Sequence, residues 1–247
     1  MKIDCALSAT NEKYAHCAPF FVKFWEKLFP EIDVKVIFVG EKIPEVLNPI
    51  RENLIFLDTS TPIFKELKTP FLAQNCRLYY PALLNYEGAV LISDIDMFPM
   101  NRAYYEDPIK DLASDFFVTY RGDYFMCYNA APPKVWGDIF NITSLEDCYK
   151  ALSTTYPKGY GGGRGTYGWY SDQTILSNKV RSWSKYKTHH VLNIESRLSR
   201  LECSHLGKHL VEENIRNLRY TDLHLNCLNP QDVDAVYSFL PNGGILK

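Results

Sequence analysis

The sequence has no apolar run approaching the roughly 18 residues needed to cross a bilayer. Its longest candidates, Val36-Ile37-Phe38-Val39 and Ala89-Val90-Leu91-Ile92, are strand-sized, so no membrane span is expected. The N-terminal stretch carries Asp4, Ser8, Thr10, Asn11 and Glu12, and so lacks the apolar core of a secretory signal. Basic residues are not in excess: 27 Lys and Arg stand against 29 Asp and Glu, a net charge of −2. That balance removes any whole-chain attraction to nucleic acid or to an anionic membrane. The Cys-x-x-Cys pair is also missing. Cys5, Cys17, Cys76, Cys127, Cys148, Cys203 and Cys227 are scattered and odd in number. They read as buried thiols of a reduced, cytoplasmic protein rather than as a disulfide scaffold or zinc site, and the sequon Asn141-Ile142-Thr143 would then go unused. Internal repeats, low-complexity tracts and a clear domain boundary are absent as well, so a single domain over 1–247 is expected.

What is present suits a folded α/β protein. Hydrophobic residues make up 46% of 247, with 17 Tyr, 14 Phe and 4 Trp, enough for a sizeable core and for stacking against sugar or base rings. Short apolar segments at 3–8, 34–39, 54–57 and 89–93 read as strands. Between them, 16–29 and 71–84 read as helices, the first with Phe20, Phe21, Phe24, Trp25 and Leu28 on one stripe. This alternation predicts a mostly parallel sheet flanked by helices, with ligands at the carboxyl ends of its strands. The second half is less regular. Segments 115–120 and 124–128 read as paired strands, and 133–140 and 144–153 as helices. The stretch 159–168 holds six glycines and reads as a flexible loop, a candidate lid, before a helix carrying Gln173, Leu176 and Val180.

Two places can carry chemistry at strand ends. Asp94 and Asp96 follow the apolar strand that ends at Ser93, and residues two apart in an extended segment point to the same side. Two adjacent carboxylates repel unless a cation sits between them, and a hard divalent ion, Mn²⁺ or Mg²⁺, satisfies both. The same spacing recurs at Asp232-Val233-Asp234, but in a polar helical stretch with no buried strand before it, so that pair reads as surface. The other place is Ser8-Ala9-Thr10-Asn11 after the first strand, with Tyr14 able to stack on a base; an Asn-containing turn into the next helix is the plain alternative. Arg77 on the helix before the aspartates is suited to a diphosphate or to orienting Asp94, unless it is an ordinary surface arginine. Asp172, at a helix start, serves as a cap or as a base. Arg164 in the glycine-rich loop is within reach of a phosphate.

These residues, taken as an ordered set, resemble the metal-dependent glycosyltransferases of GT-A fold, and in particular glycosyltransferase family 8, the glycogenin and galactinol-synthase type. Thr10-Asn11-Glu12-Lys13-Tyr14-Ala15 resembles that family's Thr-Asn-Asp-x-Tyr-Ala opening. Arg77-Leu78 followed by Val90-Leu91-Ile92-Ser93-Asp94-Ile95-Asp96 resembles its Arg-Leu helix and Asp-x-Asp strand. Tyr128-Asn129-Ala130-Ala131 resembles its Asn-Ser/Ala-Gly segment, with Ala131 in place of Gly. Asp172-Gln173 with Leu176 resembles its Asp-Gln…Leu segment. The His-x-x-Gly-x-x-Lys-Pro-Trp ending is not intact: His205-Leu206-Gly207-Lys208 is a compressed echo. Tyr220-Thr221-Asp222-Leu223-His224-Leu225 is similar instead to the Asp-x-His ending of glycosyltransferases from large algal DNA viruses.

The resemblance implies a Rossmann-like single domain, with a nucleotide-binding half over about 1–100 and an acceptor half over about 101–230. It implies a nucleotide-sugar donor, with UDP as the nucleotide, a Mn²⁺ or Mg²⁺ cofactor, and a carbohydrate or other acceptor. Location would be the cytoplasm, that of the host if the chain is viral. Ser8, Ala9, Thr10, Asn11, Tyr14, Arg77, Ser93, Asp94 and Ile95 would hold the nucleotide. Asp94, Asp96 and His224, with His205 the alternative, would hold the metal. Asn129, Asp172 and Gln173 would line the sugar and acceptor cleft. Retention of configuration is the outcome the family suggests, whereas an inverting enzyme would need a base, for which Asp172 is the candidate. Two other readings remain open at this point: an HAD-type phosphohydrolase with Asp94 as nucleophile, and a binding module that has lost turnover.

Overall fold

The computed structural model describes residues 1–247 except 121, 123–125, 193–198, 203–210, 226–229 and 245–247. Three parallel strands open the chain: β1 (Ile3–Asn11), β2 (Asp33–Gly40) and β3 (Leu54–Asp58). The first runs three residues beyond the expected 3–8, because Ala9, Thr10 and Asn11 keep their register against Ile37, Phe38 and Val39. Thr10 and Asn11 are thus strand residues, not a turn. Between β1 and β2, a 3₁₀ stretch (Glu12–Cys17) leads into α1 (Ala18–Leu28), which buries Phe21, Phe24, Trp25 and Leu28. Helix α2 (Thr69–Tyr79) stops short of the expected residue 84 and continues as 3₁₀ over Tyr80–Leu83. Pro81 explains this, since its ring clashes with the carbonyl four residues back and it has no N–H to donate.

Strand β4 (Ala89–Ile92) lies parallel to β1 on the side away from β2. The sheet order is β3-β2-β1-β4, continued by β7 (Asn129–Ala131), β6 (Phe117–Thr119) and β8 (His190–Leu192). The chain therefore leaves β1 towards one edge and returns on its other side, and a crevice forms outside the carboxyl ends of β1 and β4, the switch point of an α/β sheet. The antiparallel pairing expected between 115–120 and 124–128 is found displaced toward the C-terminus: the Tyr120 N–H donates to the Tyr128 carbonyl at 3.0 Å, and the ladder continues between β6 and β7, with Thr119 opposite Asn129 and Val118 opposite Ala130, while 124 and 125 lie outside the described residues. Small alanines carry weak strand signal. Here they sit between neighbouring strands, Ala130 in the core on one face and Ala131 in the core on the other with Trp136, whose indole N–H donates to the Val90 carbonyl at 3.2 Å.

Each face of the sheet has its own core. Ala89 and Leu91 of β4 join α1, and Val90 and Ile92 join α2, α4 (Pro133–Phe140), α5 (Leu145–Thr155) and α6 (Ser171–Ser182). The alternation is that of any strand buried on both faces. A second, three-stranded sheet is ordered β5 (Met97–Pro99), β10 (Tyr220–His224), β9 (Ser199–Glu202), with β10 antiparallel to β5 and parallel to β9. Short helices α3 (Arg102–Glu106), α7 (Tyr186–His189) and α8 (Val211–Arg216) and the longer α9 (Pro230–Phe239) complete the described elements. Asp234 lies on α9 and pairs with Lys23 at 2.8 Å in solvent, as its polar surroundings led us to expect.

The small sheet is held by a buried charge pair. Asp222 is fully buried, and it accepts from Arg200 Nε at 2.6 Å and from the Tyr128 hydroxyl at 3.0 Å. Removing one partner of such a pair leaves a desolvated charge behind. We expect Arg200→Met to lower stability by about 3–5 kcal/mol in urea unfolding, and a second change, Asp222→Leu, to recover much of that loss.

Candidate active site

The carboxyl ends of β1 and β4 and the start of α6 meet on one side chain. Arg77, buried on α2, donates Nη1 to the Ser93 carbonyl at 2.9 Å and to Asp94 Oδ1 at 2.5 Å, Nη2 to Asp172 Oδ2 at 3.1 Å, and Nε to the Gln74 carbonyl at 3.1 Å. The reading of Arg77 as an ordinary surface residue is therefore corrected. The Ser93 carbonyl also accepts the Ser8 hydroxyl at 2.8 Å, which ties β1 to β4. Asp172 sits in the first turn of α6, buried, with Oδ1 accepting its neighbour's Gln173 N–H at 2.8 Å. Burial pushes the Asp172 carboxyl up to about 6, against the pull of Arg77 and with the push of Asp94. The Arg77 guanidinium stays charged, because its two carboxylate partners outweigh its burial.

A cleft of about 130 Å³ opens above these strand ends, walled by Ala9, Thr10, Asn11, Tyr14, Ala73 and Ile95 and floored by Arg77, Asp94 and Asp96. It runs into a second space of about 340 Å³ that shares Tyr14, Gln74, Arg77, Asp94, Asp96 and Trp169 and adds Arg164, Tyr170, Asp172, Gln173 and His224. Asn11 is buried; its Nδ2 reaches Thr69 Oγ1 at 3.5 Å, and its Oδ1 has no hydrogen-bond partner among the described residues. An orphaned buried acceptor beside a cleft is a place for a ligand donor. Most of the expected site residues thus line these two spaces, but Ser8 and Ser93 are fully buried and line neither. Asn129 is fully buried on β7, opposite Ile92, and lines neither space. His205 lies outside the described residues.

The glycine-rich segment is a folded arch over the cleft. The buried Tyr160 donates its hydroxyl to Gln74 Oε1 at 2.8 Å, and Lys68 Nζ reaches the Gly161 carbonyl at 3.4 Å. Gly168 takes φ +79°, and a Cβ there would stand 2.9 Å from the Tyr160 ring, so glycine is required. The arch sets Arg164, Trp169 and Tyr170 along the wider space, Tyr170 with half its surface exposed.

His224 ends β10 opposite Met97, which brings it beside Asp96, where Nε2 lies 3.7 Å from Oδ2. Its Nδ1 is 2.9 Å from Glu202 Oε2 on β9. The imidazole is held above its ordinary pKa by the carboxylates on either side of it, Asp96 first and then Glu202, against partial burial. Two hard carboxylates and an imidazole on one cleft wall are donors that suit Mn²⁺ or Mg²⁺. Among the described residues no three such groups already converge on one point, because Asp94 is turned to Arg77. Sequence reasoning missed Glu202, since nothing marked 199–202 as a strand. It also missed Gln74, which stands one turn before Arg77 on the same helix face and was legible from that spacing.

No family model matches the sequence, and no curated protein does. Solved structures do. The galactosyltransferase LgtC, crystallised with donor and acceptor sugar analogues, is similar over 96% of each chain, with a TM-score of 0.50 and 14% identity. The glycosyltransferase GlyE of Streptococcus pneumoniae has a TM-score of 0.51 and 14% identity over 95% of this chain and 60% of its own. A glycosyltransferase involved in glycosylation of the major capsid of PBCV-1 is more loosely similar, with a TM-score of 0.43 and 9% identity over 96% of this chain and 99% of that one. The fold is that of the GT-A glycosyltransferases. Within a GT-A fold, the crevice at the ends of β1 and β4 lies at the general ligand position of α/β sheets. The narrower likeness to family 8 rests on the sequence motifs alone.

Arg77 is the side chain on which this site is most exposed to a single change. Arg77→Met should cost about 3–5 kcal/mol, because Asp172 is left buried without its counter-charge. Arg77→Lys should recover only part of that, because one ammonium lacks the fork that reaches two carboxylates and a carbonyl. Chemical denaturation of the three proteins measures both differences, and equal stabilities would contradict the account.

Proposed function

We propose that the chain transfers a glycosyl group from a nucleotide sugar to a carbohydrate acceptor, with a divalent cation held by Asp94, Asp96 and His224. The observation that carries this reading is the Asp94-Ile95-Asp96 segment at the end of a fully buried strand, where one continuous cleft passes from a narrow pocket beside Thr10, Asn11 and Tyr14 to a wider one beside Trp169 and Tyr170. Thr10 and Asn11 would read the edge of a base, uracil by resemblance, while Tyr14 stacks on it. Arg77 fixes one oxygen of Asp94 and leaves the other for ribose or metal. A bound Mn²⁺ or Mg²⁺ supplies a Lewis acid for the charge that develops on the departing nucleoside diphosphate. Arg164 offers a further cation on the wider side. Trp169 and Tyr170 offer flat apolar faces suited to a pyranose ring, and Gln173 offers an amide to a sugar hydroxyl.

The same geometry bears on stereochemistry. Inversion needs a free general base near the acceptor hydroxyl. The carboxylates lining the cleft, among the described residues, are Asp94, Asp96 and Asp172. Asp94 is paired with Arg77, Asp96 faces His224, and Asp172 has both oxygens engaged. We therefore assign Asp172 to holding Arg77 and favour retention of configuration.

The test is thermal stability with Mn²⁺ across nucleoside diphosphates and nucleotide sugars. A ligand that binds the native state at 100 times its Kd stabilises it by about 2.7 kcal/mol. We expect a metal-dependent rise with UDP compounds that is lost in Asp96→Ala and in Asp94→Ala, while both variants keep a cooperative transition. A rise without turnover of any sugar would favour a binding module. Phosphate release without an acceptor would favour the phosphohydrolase, and no rise with any nucleotide would overturn the proposal.

A further inference from the structure

We infer that Glu202 is a positioning residue for His224, holding its ring so that Nε2, rather than Nδ1, is the nitrogen offered to a cation at Asp96. This rests on the metal reading above and names a residue that reading does not include.

The argument begins with strand register. The strands β9 and β10 are parallel, with Leu201 opposite Leu223 and Glu202 opposite His224. Residues 200 and 202 on one strand, and 222 and 224 on the other, share a face. The inner pair is Arg200 and Asp222, and because Asp222 is fully buried, that pair fixes the two strands against each other. The outer pair is Glu202 and His224, of which His224 lines the wider space of the cleft. On the other flank, β5 fixes β10 with His224 opposite Met97, and the Leu225 N–H donates to the Asp96 carbonyl at 2.9 Å. Both neighbours of the imidazole are therefore placed by backbone ladders, not by flexible side chains alone.

His224 stands between two carboxylates at unequal distances, 2.9 Å from Nδ1 to Glu202 and 3.7 Å from Nε2 to Asp96. An ionised carboxylate only accepts hydrogen bonds, so each draws a proton onto the nitrogen that faces it. A neutral imidazole has one proton to give. The nearer acceptor takes it, which leaves the lone pair of Nε2 directed at Asp96, as metal-bound histidines are commonly arranged through a carboxylate behind them. Without Glu202 the balance reverses: Asp96 is the remaining acceptor, the proton moves to Nε2, and that nitrogen is closed to a cation.

The experiment uses the full chain and three proteins: wild type, Glu202→Leu and Glu202→Gln. Histidine labelled with ¹⁵N reports the tautomer of His224 in metal-free protein, at a pH above the imidazole titration, with His224→Ala assigning the signal. Calorimetric titration with Mn²⁺ alone reports affinity. We expect wild type to carry the proton on Nδ1 and Glu202→Leu to carry it on Nε2, with Mn²⁺ affinity lower by about 10–100-fold. Glu202→Gln keeps an acceptor oxygen and should retain the Nδ1 proton and most of the affinity, which a role in packing alone would not explain. A Glu202→Leu protein with the proton still on Nδ1 and unchanged Mn²⁺ affinity would overturn the inference. If wild type binds no Mn²⁺, the metal reading fails and the inference with it. The tautomers then show separately whether Glu202 orients the ring at all.

Discussion

A buried guanidinium is the constraint on which the rest of this molecule depends. Arg77 is the point where α2, the end of β4 and the start of α6 touch, and it holds them with directional bonds in a place that water does not reach. A buried charge tolerates little rearrangement, because each partner that leaves uncovers a desolvation penalty of several kcal/mol. That stiffness is what a site at a strand end needs. Asp94 does not sample rotamers in solvent but stands against a fixed fork. The Ser93 carbonyl, taken by both Ser8 and Arg77, fixes the backbone from which Asp94 and Asp96 project.

Around this hub the cleft divides into two kinds of surface. The β1 side offers backbone, hydroxyl and amide groups in a narrow pocket. The α6 side offers aromatic rings and a cation along a broader one, on an arch pinned by Tyr160 to Gln74. Asp94 and Asp96 lie where the two join. Glycosyl transfer requires three components to be present together: a nucleotide, a departing diphosphate and an incoming hydroxyl. For the transfer proposed above, a continuous cleft with unlike ends is a shape that orders them.

Much of this was legible in the sequence, for reasons that can be named. The strands over 3–11, 33–40 and 89–92 are largely buried on both faces and so carry apolar runs, and 54–58, an edge strand with only Leu57 buried, is still legible from its Leu-Ile-Phe-Leu run. Helices α1, α4 and α5 carry clear apolar stripes and start signals, the last with Ser144 and Asp147 in a reciprocal capping box. The strands that were missed are three to five residues long, and one is built on alanines. Their pairing is set by distant partners rather than by local pattern. Asp94 and Asp96 were legible as a candidate because a buried strand precedes them and holds them at the edge of a cleft. The burial of Arg77 was not readable, because its neutralising partner Asp172 lies 95 residues away. Glu202 was invisible for the same reason: its meaning comes from the residue opposite it on another strand.

The placement of β10 has a consequence for how the protein comes to exist in a cell. Strand β5 emerges from the ribosome with residues 97–99, but its partner is residues 222–224. A nascent chain can close the β3-β2-β1-β4 layer and its crevice early, from contacts within its first hundred residues. It cannot deliver His224 until more than a hundred further residues have been made. Until then β5 is an unpaired edge beside the exposed aromatic faces that α1 turns toward Phe98. Non-local pairing of this kind is slow, and an open apolar edge invites association with other chains. The step that completes the candidate active site is thus also the step that closes the edge, so a chain interrupted before β10 would be both inactive and prone to aggregate.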